Sequence, residues 1–163
     1  YLPFGVDMKY WRPKKSSSNK EYILAIGNDY ARDWKTLIDA WDIDFPELKL
    51  VTSLPLKTKK KNVTILKGSW GEEFLTDDQI RKLYLESYFV VIPLKQSIQP
   101  SGQSCCLQAM SCGKPVIMTK IMGIWDENLL KNEEDIIFVP PYSTIKLKKA
   151  INIFKEVLKI KVL

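Results

Sequence analysis

Short runs of consecutive apolar residues recur along this chain, and polar or helical segments separate them. Runs that are apolar at successive positions are typical of strands buried on both faces of a sheet. The predicted strands are Tyr22–Ile26, Leu48–Thr52, Val63–Leu66, Phe89–Ile92, Pro115–Thr119 and Ile136–Val139. Because helical segments alternate with these runs, the pattern predicts an α/β domain with a doubly wound parallel sheet covered by helices on both sides.

Capping residues predict where several of the helices begin. Asp33 and Ser143 each precede a segment of helical apolar spacing and are predicted to act as N-caps. Thr76 and Gln79 have the spacing of a capping box, in which the two residues satisfy each other's backbone N–H groups. Glu127–Leu130 is predicted to form a single helical turn before the last strand.

The first twenty residues lack this alternation. Pro3, Gly5 and Pro13, followed by Lys14–Ser18, predict a flexible and polar passage. We therefore assign residues 1–20 to a linker and residues 21–163 to the folded domain. Since the chain starts at Tyr1 with an extended segment and leads straight into the first strand, it is interpreted as a domain cut out of a longer protein.

The segment Pro93–Thr119 contains the most informative turn. After a polar loop, Ser101 and Gly102 lead into a predicted helix, Gln103–Cys112, which Gly113 ends in the left-handed conformation that helix C-termini favour. Strand, small-residue turn, helix and strand form a βαβ unit, whose free N–H groups and helix dipole attract anions. A βαβ unit that is only scaffold is the alternative.

Composition and charge narrow the set of partners. With 45% hydrophobic and 27% charged residues, the chain has the composition of an ordinary globular domain. A net charge of +6 and a pI of about 9.1 favour anionic partners, which include nucleotides, phospholipid surfaces and nucleic acid. Nucleic acid ranks last, because no basic stripe is interleaved with aromatic residues. The lysine-rich runs are by default solvated surface.

Several classes of chemistry are excluded by the residues that the chain lacks. It has no histidine, so no Ser-His or Cys-His nucleophile pair can form. Cys105, Cys106 and Cys112 have neither a disulfide framework nor a metal-ligand spacing, and they are interpreted as small core residues of a reducing compartment, the cytoplasm. No apolar run approaches the roughly 20 residues that span a bilayer, and no signal peptide is recognised. No metal site is predicted.

In a doubly wound sheet, ligands bind beyond the carboxyl ends of the strands. The loops that follow the predicted strands are therefore the candidate ligand loops. They are Gly27–Arg32, Gly68–Gly71, Lys95–Gly102 and Lys120–Trp125.

Several motifs resemble those of one enzyme family. Ser101–Ser104, Leu107–Met110 and Gly113–Ile117 are similar to the donor-site signature of GT-B glycosyltransferases of the large retaining family 4, which runs SGQS, then LEAMA, then GKPVI. Further segments resemble the family's interdomain linker, first βα loop, later donor-side loop and following strand, in the same order: Tyr1–Pro13, Gly27 with Arg32–Leu37, Gly123–Asp126 and Phe138–Pro141. The resemblance extends over nearly the whole chain.

The resemblance implies a Rossmann-like domain, the C-terminal half of a GT-B glycosyltransferase. Such a half binds a nucleotide-diphosphate sugar as co-substrate, without a metal or other cofactor. The glycan or lipid-linked acceptor would bind through the missing N-terminal half, so that the isolated domain would be inactive. The implied setting is glycan biosynthesis in the cytoplasm, with peripheral association at the inner face of the membrane left open.

The resemblance also assigns residues of the first βα loop. Arg32, with Gly27 at the end of the strand before it, matches the loop from which a basic residue contacts the donor diphosphate. From residue type alone a surface arginine is an equal alternative, but a position near a helix start after a strand favours phosphate. Lys35 lies one helical step further on and could assist, although a solvated lysine is the more ordinary interpretation.

Two more groups are predicted to bind the donor. Ser101, Gly102, Gln103 and Ser104 would present backbone N–H groups at a helix N-terminus to a diphosphate or a sugar hydroxyl. Gly68, Ser69 and Trp70 would line a nucleobase pocket, with core packing as the alternative for the tryptophan.

Gln108 departs from the family pattern. The family has two glutamates separated by seven residues, and the second, which holds the ribose hydroxyls, is replaced here by Gln108. The first would fall at Pro100 or Gln99, and neither is a carboxylate. A glutamine can still accept a hydroxyl proton but makes the weaker, uncharged bond (~0.5–1.5 against ~1.5–3 kcal/mol). Gln108 and Arg32 are nonetheless the predicted catalytic residues, and a non-catalytic glycosyltransferase-like subunit that binds nucleotide, glycan or a partner enzyme is the alternative function.

Overall fold

The computed structural model describes residues 4–14, 21–67, 75–124 and 130–159. Within these ranges the chain forms strands and helices that alternate for most of its length. They are β1 (Tyr22–Ile26), α1 (Trp34–Ala40), β2 (Leu48–Val51), β3 (Val63–Leu66), α2 (Asp77–Glu86), β4 (Ser87–Ile92), α3 (Gln103–Ser111), β5 (Val116–Thr119), β6 (Ile137–Val139) and α4 (Thr144–Val157).

The strands form one parallel sheet of six strands in the order β3-β2-β1-β4-β5-β6. The chain builds outward from β1 to β3, returns to the other side of β1, and builds outward again from β4 to β6. The direction therefore reverses between β1 and β4, and this switch point is where doubly wound sheets leave a crevice beyond the strands' carboxyl ends. The predicted fold class, a Rossmann-like doubly wound parallel sheet, is confirmed.

Helices cover both faces of the sheet because alternate residues of each strand point to opposite sides. In β1, Ile23 and Ala25 pack with the apolar residues of α1 and α4, whereas Tyr22 and Leu24 pack with those of α2 and α3. All four of these β1 side chains are fully buried. The two apolar layers fix the sheet between the helices, and this leaves its carboxyl edge as the place where loops can carry function.

Most predicted boundaries agree with the structure. Strands β1 and β3 have the predicted bounds, and the other four strands and α3 each differ from the prediction by one or two residues at one end. Asp33, Thr76 and Ser143 cap their helices, and Gln79 completes the capping box. Gly113 has a positive φ of 72°, as predicted for the end of α3. The predicted helical turn at Glu127–Leu130 lies almost wholly outside the described residues.

Part of the amino-terminal segment packs on the domain. The Trp11 side chain is 7% exposed, and its ring meets that of Tyr84 edge to face at 5.9 Å between centroids. The Tyr10 hydroxyl donates to an Asp78 carboxylate oxygen at 2.7 Å. The described part of this segment, residues 4–14, is therefore anchored on α2, and its role as an interdomain linker stays a prediction.

The described part of the chain has neither a membrane-spanning helix nor a cluster of metal ligands. No helix there has the length and apolar character that crossing a bilayer requires. Among the same residues, no group of three or more His, Cys, Asp or Glu side chains is arranged to hold a metal ion.

Candidate functional site

Two loops meet at the switch point and are joined through their backbones. The loop after β1 and the loop after β4 share the hydrogen bonds Asp33 N–H to Pro93 O at 3.1 Å and Lys95 N–H to Ala31 O at 2.7 Å. The Lys95 ammonium also donates to Tyr30 O at 3.0 Å. These bonds join residues that are 60 to 65 positions apart in the sequence, and they fix the two loops relative to each other.

A carboxylate reinforces the same junction. Asp29 accepts the Ala31 N–H at 2.7 Å with one oxygen and the Ser101 hydroxyl with the other. Partial burial pushes the pKa of Asp29 up, but the bonds from Ser101 and Ala31 and the charges of Arg32 and Lys95 outweigh it, so that its pKa is lowered. Asp29 is thus an ionised group that ties the β1 loop to the start of α3.

Arg32 lies at the centre of this junction and is 4% exposed. Its Nη2 donates to the Cys105 sulfur at 3.3 Å, whereas Nε and Nη1 are buried and have no hydrogen-bond partner in the part of the chain that the structure describes. Among the described residues, Arg32 forms no ion pair with a carboxylate. Buried donors are normally satisfied, so two unmet nitrogens on one buried guanidinium are unusual. Among the described residues, the Trp34 indole nitrogen and Arg81 Nε are also buried donors without a partner, but each is a single nitrogen.

Glycines on two sides make room for this guanidinium. A Cβ placed on Gly27 would lie 2.1 Å from Arg32 Nε, and one on Gly102 would lie 3.1 Å from Nη1. Gly102 also has a φ of 79°, the left-handed region in which a side chain is strained. Any larger residue at either position would displace the arginine or the loop, which explains why small residues stand at both.

The start of α3 supplies further donors. Gly102 is the N-cap, and no side chain caps the helix from that position. The first N–H groups of an α-helix have no partner within the helix, and they point out of its N-terminus together with the positive end of its dipole. Gln103 is half-buried and Ser104 is exposed at this turn. The helix start therefore adds free donors beside Arg32.

Gln108 lies one turn further along α3, against α2. Its Oε1 accepts a hydrogen bond from the Tyr84 hydroxyl at 3.2 Å. Burial, and secondarily the neighbouring Cys105, raise the pKa of Tyr84 well above its ordinary value, so that this hydroxyl keeps its proton and remains a donor. The Gln108 side chain is thus held through its oxygen, and no described residue bonds to its amide nitrogen.

The other predicted site residues fall into two groups. Lys35 is on the exposed side of α1 and pairs with Asp39 at 2.5 Å, so it is not drawn to the crevice by any contact. Gly68, Ser69 and Trp70 lie outside the described residues, as do Trp125 and Asp126. The structure brings together Gly27, Arg32, Ser101, Gly102, Gln103 and Ser104, with Gln108 a helical turn away.

Three residues of the junction are absent from the predicted set. Asp29 carried a detectable signal, since it is a polar residue in the loop directly after a strand. Cys105 was predicted to be a small core residue, yet it is only half-buried and contacts Arg32. It precedes Gln108 by three positions and so shares its helix face, a spacing that could have indicated its role. Tyr84 carried no such signal, because an aromatic residue at helical spacing is ordinary core.

The arrangement defines a Rossmann-like domain with a buried arginine and a helix N-terminus side by side at its switch point. The sequence matches the family described as "Glycosyl transferases group 1" over residues 44–154. That match covers more than half of the chain, and the protein belongs to this family. A search of curated proteins gave no match.

Solved structures share the fold at low sequence identity. HepE of Anabaena, solved in complex with UDP-glucose, superposes with a TM-score of 0.70 at 18% identity, over 95% of this chain and 47% of that one. The C-terminal domain of LpcC, a glycosyl transferase group 1 family protein of Francisella tularensis, superposes with a TM-score of 0.69 at 18% identity, over 96% and 92%. A Rickettsia africae glycosyltransferase gives 0.68 at 18%, over 94% and 46%. This chain thus spans about half the length of HepE and of the Rickettsia protein.

Proposed function

We propose that this chain is the donor-binding domain of a glycosyltransferase that moves a sugar from a nucleotide-diphosphate sugar to a glycan or a lipid-linked acceptor, with retention of configuration. The family membership supports a transferase, and the UDP-glucose bound to HepE supports a nucleotide sugar as donor. The acceptor would bind through a second half of the protein. In this proposal the enzyme works in the cytoplasm, at the inner face of the membrane where its acceptor is lipid-linked.

One observation carries the proposal: two nitrogens of the buried Arg32 guanidinium, Nε and Nη1, have no partner among the described residues, at the point where α3 begins. A diphosphate offers several oxygen acceptors and negative charge, which would satisfy both the guanidinium and the free helix N–H groups. Gly27 and Gly102 leave the space for such a group to approach closely.

The same contacts would assist the reaction. When the bond between sugar and diphosphate breaks, negative charge grows on the leaving diphosphate. Donors already fixed in place stabilise that charge without reorganising, because the bonds between the β1 and β4 loops hold them. Gln108, held by Tyr84, would direct its amide nitrogen to a hydroxyl of the nucleotide or sugar.

Titration calorimetry of the chain tests the donor site. UDP, GDP and ADP are each compared with the matching nucleoside, so that the difference measures the contribution of the diphosphate. We expect binding of at least one diphosphate and a loss of that difference in Arg32→Gln. Arg81→Gln is the matched control. Arg81 is on α2, away from the crevice, and its guanidinium lies over the Tyr10 ring. No heat with any diphosphate would sink the proposal.

A second function is favoured by Gln108. Where the family has a glutamate, this chain has an uncharged amide, which cannot supply a charged bond to the ribose. The amide oxygen also already accepts a hydrogen bond from Tyr84. A glycosyltransferase-like subunit that binds nucleotide, glycan or a partner enzyme without turnover would tolerate this. Gln108→Glu in the full-length protein separates the two functions, because the Tyr84 hydroxyl can also donate to a carboxylate. Efficient sugar-nucleotide turnover by the unaltered protein would eliminate the subunit.

A further inference from the structure

Cys105 differs from the other cysteines in what its sulfur contacts. The thiol donates to Ile26 O, the last carbonyl of β1, at 3.5 Å, and the same sulfur accepts the bond from Arg32 Nη2 at 3.3 Å. Cys106 and Cys112 are buried in the core, where burial raises the pKa of both thiols, that of Cys106 to about 12. Only Cys105 therefore joins the sheet edge to the arginine of the crevice.

We propose that Cys105 is a positioning residue for Arg32: its thiol fixes the guanidinium so that Nε and Nη1 are presented to the donor's diphosphate. This inference rests on the proposed function. Cys105 is outside the family's signature residues, and the inference gives it the role of orienting Arg32 toward the donor's diphosphate.

Geometry supports this role. The guanidinium has Gly27 against Nε and Gly102 against Nη1, and neither glycine offers a side chain that could hold it. The sulfur of Cys105 is its one hydrogen-bond partner among the described residues. Because the thiol's own proton is directed to Ile26 O, the lone pairs of the sulfur are left to accept from Nη2. Packing against Gly27 and Gly102 limits the room of the guanidinium, and the bond to Cys105 is the directional contact that sets its orientation.

Nuclear magnetic resonance of the arginine Nε–Hε groups tests the positioning without any nucleotide. Arg12, Arg32 and Arg81 are the arginines of the chain, and Arg32→Lys identifies the Arg32 signal by its loss. We expect a sharp, slowly exchanging signal in the unaltered protein and a broadened, fast-exchanging one in Cys105→Ala. Cys105→Val keeps the volume without the hydrogen bonds and should behave in the same way, whereas Cys105→Ser should retain the signal. Cys106→Ala is the matched control and should leave it unchanged.

Calorimetry with the diphosphate that binds completes the test. Cys105→Ala and Cys105→Val should bind about tenfold more weakly, the effect of misplacing one charge-assisted hydrogen bond, whereas Cys105→Ser should stay within about threefold. An Arg32 signal that is identical in the unaltered protein, Cys105→Ala and Cys105→Val would overturn the inference. If the signal changes as expected but no diphosphate binds even to the unaltered protein, the positioning of Arg32 stands and the donor site falls.

Discussion

Two basic side chains, Lys114 and Arg32, are buried at opposite ends of the sheet, and they differ in how many of their donors are hydrogen-bonded. Lys114, 7% exposed, precedes β5, and its ammonium donates to Leu85 O at 2.7 Å and Ser87 O at 2.8 Å, where α2 ends and β4 begins. Arg32, 4% exposed, lies beyond the carboxyl ends of β1 and β4, with Nε and Nη1 unpartnered. Similar burial thus accompanies opposite hydrogen-bonding states.

Under the proposed function, this difference separates a structural cation from one that binds a ligand. Lys114 satisfies carbonyls at a helix C-terminus, the end that favours positive charge, so its burial contributes to stability. Arg32 is buried at a net loss of hydrogen bonds, which the folded chain tolerates only because the rest of the domain is stable. Burial of a charge therefore does not by itself distinguish a binding residue from a structural one in this fold.

Removing the guanidinium should have the largest effect on binding. Arg32→Met should weaken diphosphate binding about 100-fold, corresponding to about 2.7 kcal/mol, because a desolvated charged donor is lost. The free energy of unfolding should stay the same or rise, since two buried unpaired groups disappear. Calorimetry and urea unfolding measure the two quantities. A variant that binds normally but unfolds more easily would make Arg32 a structural residue like Lys114.

Lys114→Met should show the reverse pattern. Loss of the ammonium leaves the Leu85 and Ser87 carbonyls buried without this donor, and we expect the free energy of unfolding to fall by about 2 kcal/mol. Diphosphate binding by the folded variant should be unchanged, since the site is at the other end of the sheet. Weakened binding in proportion to stability would show that the two ends are coupled and would break the comparison.

The strands, helix caps and fold class could be predicted from the sequence better than the contacts of the candidate site. Strands buried on both faces are apolar at successive positions, so they are easily recognised in the sequence. Caps such as Asp33 and Thr76 can be recognised from the spacing of the residues around them. The doubly wound class followed from the alternation of elements, and with it the expectation that Gly27–Arg32 and Lys95–Gly102 carry the ligand.

The contacts inside the crevice could not be predicted, because they join residues distant in sequence. Asp29 and Ser101 are 72 positions apart, Arg32 and Cys105 73. Nothing local distinguishes an arginine that will be buried without partners from one on the surface, and the resemblance to a family supplied that assignment. Likewise, Lys35 resembled a site residue by its nearness in sequence, but it lies on the exposed side of α1 with Asp39.

The two glycines that flank α3 allow a similar comparison for the backbone: one lies beside Arg32 and the other does not. Gly102 and Gly113 have φ of 79° and 72°, so alanine at Gly113 should lower the free energy of unfolding by about 1 kcal/mol. Alanine at Gly102 should lower it further, because its Cβ would also lie 2.8 Å from Ile92 Cγ2. Only Gly102→Ala should also weaken diphosphate binding, because its Cβ would lie 3.1 Å from Arg32 Nη1, whereas at Gly113 the nearest atom belongs to Pro13. Equal binding by both variants in calorimetry would mean that Arg32 does not depend on the space at Gly102.

Replacing Asp29 should have the smallest effect on diphosphate binding. Its carboxylate is near Arg32 but does not form an ion pair with it. Asp29 accepts from Ser101 and Ala31 instead, and its charge still reaches Arg32. In Asp29→Asn that negative charge is lost, so a diphosphate should bind about twofold more tightly at low ionic strength, with the gain fading in salt. Asp44→Asn, which alters an exposed carboxylate of another loop, is the control. Weaker binding by Asp29→Asn would mean that the loop junction matters more than the charge.

The stability of Asp29→Asn has a pH dependence whose sign follows from the lowered pKa of Asp29. The folded state binds this proton less readily than the unfolded state, so the ionised carboxylate stabilises the fold above the ordinary value of 3.8 and its contribution is lost as pH falls through the folded pKa. The unaltered protein should therefore be more stable than the variant near neutral pH, and the two should converge in acid. The difference should be small, since the carboxylate is exposed and screened by solvent. A gap that persists unchanged into acid, measured by urea unfolding, would assign the stabilisation to hydrogen-bond geometry, and Asp29 would then resemble Lys114 more than Arg32.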